Sequence, residues 1–361
     1  MIGSRLRLTA LALALALAFA NSLQAAGPRD SLKKGNLELQ SIGALAFGPE
    51  GILFVGDPRA AAIVAVDTQD RVAVGTERPK VDAIDEKIAS LLGIEAGQLV
   101  VNDLAVNPLS GNAYLGVTRG KAADAKPVLL RVERSGKIAE VALTDVPFAR
   151  TPLPNPGKGR TPNEVITHMA YVKGQLLVAC LSNEDFASQF RFLPFPFKDA
   201  GKGAAVEIYH GSHGRLETRS PIRTFVPYEI NGEANVLAAY TCTPLVQVPV
   251  AELKPGAKVK GKTIAELGNH NVPLDLIVYQ KDGKDYLLMA NSARGVMKIP
   301  TEGIDKVESI TKRIGDTAGL KYETVASLEG TAQLDIFDKG HVLVLRKNKD
   351  KKLDLATVEL P

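Results

Sequence analysis

Four residues in this chain have the type and spacing to form one chemical centre. Asp103, His168, Asp275 and Asp335 each stand immediately before the apolar start of a strand-like segment, and those segments recur about every sixty residues. Carboxylate oxygens joined by one imidazole suit a hard divalent cation, so a ring of this composition predicts a calcium or manganese site. The competing expectation is a solvated polar channel with no ion. A second metal set, Glu164, Asn102, Asn291 and Asp275, draws on neighbouring positions. His168 and His270 are the candidates for a general base, because imidazole titrates near neutral pH. Arg59, Arg119, Arg294 and Arg346 follow second strands at nearly equivalent places, and a converging set of guanidinium groups would hold a small anionic ligand or an acidic protein surface. The turn His210-Gly-Ser-His213 reads as a connection between outer strands. A G-x-S-x-G elbow, a P-loop and an H-E-x-x-H helix are absent from the sequence.

The elements that must position these residues are legible as a repeat. In Gly43 to Asp67 (GALAFGPEGILFVGDPRAAAIVAVD) a short apolar strand, a Pro-Glu-Gly turn, a strand ending in Gly-Asp and a third apolar strand follow one another, which is an antiparallel meander. The pattern returns at 103–133, 168–185, 275–300 and 335–360, with a weaker copy at 225–250. Six units at about 56 residues each exceed the ~40–45 of a WD-type blade, so loops are elaborated. No unit buries both sheet faces alone, but a ring of six does. The prediction is an all-β, six-bladed β-propeller with one short inserted helix over Asp82 to Gly93. Pairing of Asn36 to Ile42 with Leu353 to Leu360 is expected to close the ring. The aromatic run FRFLPFPF (190–197) reads as a strand or loop packed on a blade rim, with a partner-binding patch as the alternative.

At these residues the chain resembles NHL-type and gluconolactonase-like propellers: the Pro-x-Gly turn, Asp57 after the second strand and the Ile-x-x-x-Asp ending carry the likeness, and YLLMANSARGVMKI is a looser match. The resemblance implies a fold shared by binding modules, scaffolds and enzymes. For the lactonases it also implies a metal at the channel mouth, on residues of the types found at Glu164, Asn102, Asn291 and Asp275. The Glu-Gly-Pro-x-Trp opening of those enzymes is missing here, and the chain has no Trp.

Composition and targeting set the remaining bounds. The 361 residues are 45% hydrophobic and 23% charged, which excludes a disordered chain, and a net charge of +4 that includes Arg5 and Arg7 of the leader argues against nucleic acid as a partner. Residues 1–25 have the basic, apolar and small-residue parts of a signal peptide, leaving 26–361 as an exported propeller, periplasmic or secreted, with no transmembrane segment in the mature chain. Cys180 and Cys242 close second strands of neighbouring blades. They are read as one disulfide near the axis, with two inert thiols as the alternative. The leading functional expectation is a non-catalytic module that binds a protein or a small ligand through its top face. A metal-dependent lactonase-like hydrolase and a subunit of a periplasmic redox enzyme are the alternatives.

Overall fold

A computed structural model describes residues 27–121, 125–159 and 161–361. The leader at 1–25 lies outside the described residues. Six sheets, antiparallel except where Lys258–Lys260 adds in parallel to Ala204–His210, surround a central channel, and their innermost strands are Leu45–Phe47, Leu99–Val106, Ile166–Val172, Ile222–Ile230, Pro273–Lys281 and Thr331–Asp338. These are the six units of the repeat, and each becomes a blade for the same physical reason. A tight turn folds one apolar strand onto the next, and alternate side chains of each sheet then pack against the blade on either side. In the first blade, Phe54 and Ile63 face the third blade while Leu53, Val55 and Val64 face the second. The inserted helix, Ile84–Leu92, buries Ile84, Ile88 and Leu92 against the second and sixth blades; Leu91 is exposed. Phe190 and Phe195 of the aromatic run are buried within blade interfaces. No helix among the described residues is long and apolar enough to cross a membrane.

The ring order differs from the chain order. Around the channel, the first blade sits between the second and the third, so the sequence of blades is second, first, third, fourth, fifth, sixth, and back to the second. Two borrowed strands make this arrangement work. The outer strand of the first blade is Val146–Pro152, which follows the whole of the second blade in sequence and pairs with Ala62–Asp67. The outer strand of the sixth blade is Lys80–Val81, paired with Leu355 and Ala356. Between these strands, residues 68–79 cross the second blade and are pinned there by Asp70. Its carboxylate accepts from Ser110 Oγ at 2.8 Å, Asn112 Nδ2 at 3.0 Å and Tyr114 OH at 3.0 Å, while its carbonyl accepts from Asn107 Nδ2 at 2.6 Å.

The expected closure by Asn36 to Ile42 is therefore corrected: the C-terminal strand is closed by Lys80–Val81. Residues 36–42 form no strand. Leu37 and Ile42 instead wedge into the core between the first and second blades. Asp57 holds the segment in place, its buried carboxylate accepting from Gln40 N at 2.9 Å, Ser41 N at 2.8 Å and Ser41 Oγ at 2.9 Å. A nearby piece, Lys33–Gly35, adds an edge strand to the first blade.

Candidate functional site

The channel mouth is shaped by a backbone irregularity repeated in five blades. A β-bulge interrupts the inner hairpin between Val101 and Asp103, Ile166 and His168, Ile222 and Thr224, Pro273 and Asp275, and Thr331 and Gln333. In a regular strand successive side chains face opposite sides, but a bulge turns the extra residue toward the same side as its neighbour. The extra residues, Asn102, Thr167, Arg223, Leu274 and Ala332, all line one cavity of 480 Å³, together with Asp103, His168, Asp275, Gln333, Asn163, Glu164 and Lys347.

The bulges also fix the true register of the inner layer, which is Ala44, Asp103, His168, Thr224, Asp275 and Gln333. Asp335 lies two residues further along its strand and lines the opposite half of the channel. This corrects the sequence alignment of the sixth blade. Leu334 and Ile336 are both inward apolar residues, and a slip of two leaves every side chain on its own face, so alternation cannot distinguish the two registers.

Each channel aspartate is committed to backbone. Asp103 accepts from Leu104 N and, across the blade interface, from Leu45 N at 2.6 Å. Asp275 accepts from Leu276 N and from Leu334 N at 2.9 Å. Asp335 accepts from Ile336 N and from Val106 N at 2.7 Å. Three interfaces of the ring are thus bridged by an aspartate whose second oxygen binds its own strand. Burial is the main influence on their acidity: it pushes Asp103 up to about 7 and Asp335 to about 6 against the lowering effect of these bonds, and holds Asp275 well above the usual carboxylate range, with the Asp103 charge adding to the effect.

Asp103, His168, Asp275 and Asp335 are not gathered as metal ligands. The one group of three His, Cys, Asp or Glu ligand atoms within 4.8 Å of one another, among the described residues, lies elsewhere. In the alternative set, Asn102, Glu164 and Asp275 share the mouth, but Asn291 is turned away: its Oδ1 accepts from Asn271 Nδ2 at 3.0 Å and its Nδ2 donates to Met289 O at 3.1 Å. His168 faces the cavity, with Nδ1 3.4 Å from Thr224 Oγ1 and its ring edge-on to Phe225, and burial pushes it down to about 4, which makes it a poor base at neutral pH. His270 is exposed and does not line the mouth.

The four predicted arginines do not converge on this cavity. Arg59 lines a smaller side cavity, Arg294 reaches Asp316 at 3.3 Å, Arg346 donates to Ser327 O, and Arg119 is half-buried at the end of its strand. The cations of the mouth are Arg223, 3.3 Å from Glu164, and Lys347. Arg223 escapes a sequence reading that starts the fourth repeat at residue 225. Its signal is positional, since it precedes Thr224 as Asn102 precedes Asp103.

The disulfide is also corrected, since Cys180 and Cys242 are both free. Val178 and Cys180 face the first blade, whereas the alternate residues Leu177 and Ala179 face the fourth, where Cys242 resides. Strand alternation therefore points Cys180 away from its supposed partner. Burial pushes the Cys180 thiol up, although Arg191 opposes this. Thiol titration of unreduced protein is expected to find two thiols, with Cys242 reacting in the native state and Cys180 only after unfolding. A result of zero thiols after denaturation would restore the bond.

No protein-family model matches the chain, and a search of curated sequences finds no match. Among solved structures, it is similar to the PQQ-bound form of an aldose sugar dehydrogenase from Streptomyces coelicolor, with 12% identity over 90% of this chain and 97% of that one and a TM-score of 0.33. It is also similar to a putative oxidoreductase (glucose dehydrogenase) from Thermus thermophilus, with 14% identity over 91% and 100% and a TM-score of 0.33. A streptogramin B lyase shares 12% identity over 91% and 88%, with a TM-score of 0.25. These likenesses concern the fold alone.

Proposed function

We propose that the protein is an exported binding module, carried out by the leader at 1–25, that holds a small polar ligand with an anionic group in the channel mouth and does no chemistry on it. The observation that carries this reading is the commitment of the channel carboxylates. Asp103 and Asp275 each use both oxygens on backbone N–H groups, Glu164 stands beside Arg223, and His168 is a weak base, so the ionisable groups of the cavity are engaged in holding the fold before any ligand arrives. What does face it is recognition chemistry: the amides of Asn102, Asn163 and Gln333, the hydroxyl of Thr167, and the cations Arg223 and Lys347. With Glu164 beside Arg223 and the deeper aspartates holding protons toward neutral pH, Lys347 and the guanidinium favour a carboxylate or phosphate bearing several hydroxyls.

A calorimetric panel of sugar acids, dicarboxylates and sugar phosphates tests this. One ligand per chain is expected, with affinity falling at least tenfold in Arg223→Gln and less in Lys347→Gln, and with the melting temperature of the parent rising on saturation. Turnover of a lactone that is abolished by chelator would replace this reading with the hydrolase one. Binding that is indifferent to both substitutions would place the site elsewhere.

A further inference from the structure

A second cluster lies away from the channel, at the edge where the third and fourth blades meet. The strand Ala204–His210 ends in a turn that leads to Arg215–Glu217, and this turn carries His210 and His213. Cys242 follows the fourth-blade strand Glu233–Tyr240 and comes up beside them. One ring nitrogen of each histidine and the Cys242 sulfur lie within 4.8 Å of one another. The two rings are 3.8 Å apart between centroids.

Hydrogen bonding sorts the ring nitrogens. Glu217 takes both Nδ1 atoms, that of His210 on Oε2 at 2.8 Å and that of His213 on Oε1 at 2.7 Å. Ser220 Oγ and Arg215 Nε also donate to this carboxylate, which fixes its orientation. The nitrogens left to bind anything are the two Nε2 atoms, and that of His210 is buried with no hydrogen-bond partner. An orphaned polar atom in a residue 1% exposed is costly unless something completes it. A carboxylate that orients imidazoles through Nδ1 and leaves Nε2 outward is the usual outer-shell arrangement of a metal-binding histidine.

We propose that His210, His213 and Cys242 form a zinc site, with Glu217 as the positioning residue of both histidines. Two imidazoles and a thiolate match the preference of this borderline-soft ion. Bond lengths of about 2.0 Å to nitrogen and 2.3 Å to sulfur place tetrahedral ligand atoms about 3.3–3.6 Å apart. The cluster reaches that spacing with small side-chain movements, since His213 is still 42% exposed. Three protein ligands leave the fourth position to water or a small anion from the adjoining 530 Å³ cleft, whose walls include Lys158, Arg215 and Arg219. The site does not depend on the binding role of the channel mouth.

Cobalt(II) is the probe. Untagged, reduced, chelator-stripped protein is titrated with Co2+ and then with Zn2+. One equivalent is expected to bind with a thiolate-to-cobalt charge-transfer band and tetrahedral visible bands, and Zn2+ is expected to displace it. Cys242→Ser should remove the charge-transfer band, His213→Gln should weaken binding at least tenfold, Glu217→Gln should weaken it about 10–100-fold, and Cys180→Ser should behave as the parent. Melting curves in chelator establish that each variant is folded, and the exposed His213 gives a variant that keeps the core intact. Absence of the thiolate band in the parent, or its survival in Cys242→Ser, overturns the proposal.

Discussion

Raising the pH from 5 to 7.5 is expected to lower the melting temperature by about 5 °C or more, opposite to the trend of a protein whose carboxylates are paired with cations. The sign follows from the channel. An aspartate whose folded pKa exceeds its unfolded value of about 3.8 holds its proton in the fold after the unfolded chain has released it, so the fold loses stability as the pH climbs through that window. For Asp103, raised to about 7, the whole window corresponds to roughly 4 kcal/mol, and for Asp335, raised to about 6, roughly 3 kcal/mol. Asp275 acts in the same direction. His168 opposes them. Depressed from 6.5 to about 4, it favours the fold above its unfolded pKa, and that contribution fades as the pH falls through the interval. Three acids against one base leave a net decline with rising pH. At about 2 °C per kcal/mol for a chain of this size, the shift is easily read in a thermal melt. Asp103→Asn should flatten the profile and lower stability at pH 5, because one backbone N–H loses its acceptor. A melting temperature that climbs steadily from pH 5 to 7.5 would refute the account.

The second large effect is expected at Val81. This side chain is 4% exposed and packs with Ile84, Ile88, Leu343, Leu345 and Leu355, while its backbone closes the sixth blade. Val81→Asp places an unpaired charge in that cluster and should cost about 3–5 kcal/mol in urea or thermal unfolding. Removing residues 27–35, which supply an exposed edge strand, the Arg29–Glu50 ion pair and the half-buried Leu32, should cost less than that. If the truncation is the more damaging change, the edge of the first blade and not the Lys80–Val81 closure limits the stability of the ring.

The six blades were readable because every inner hairpin repeats the same apolar alternation around a Gly-containing turn, a local signal. The ring order was not, because it is decided by which blade accepts a borrowed strand. Lys80–Val81 is two residues long and carries no periodicity, and nothing local to Val146–Pro152 says that it returns to the first blade. The inward placement of Asp103, His168 and Asp275 was legible from position relative to the apolar anchors, whereas their attachment to neighbouring backbone was not, since a carboxylate's acceptors are chosen by a strand far away in sequence. Asp335 failed through a two-residue register ambiguity. Two cysteines near the ends of second strands suggest a bond, although alternation along Leu176, Val178 and Cys180 points that thiol to the other interface. The local sequence marks His210 and His213 as a turn, and the Cys242 that gives them meaning arrives from another blade.

The exchanged strands have a mechanical consequence. In a ring whose blades follow chain order, one seam has no polypeptide running across it and is held by non-covalent contacts alone. Here the chain passes from Lys80–Val81 on the sixth blade through the helix into the second, from the second to Val146–Pro152 on the first, and from there into the third. The later blades follow in order, so every one of the six seams is crossed by continuous main chain. Ala83 N donating to Asp354, across 271 residues, fastens the crossing at its far end. Separating neighbouring blades at five of these seams therefore stretches a short covalent tether that keeps their surfaces at high effective concentration and favours reclosure, and at the sixth the crossing chain is anchored by strand pairing to Leu355 and Ala356. Fraying of the C-terminal strand would loosen the sixth-to-second crossing, because Lys80–Val81 is paired to that strand, while main chain would still span the other five seams.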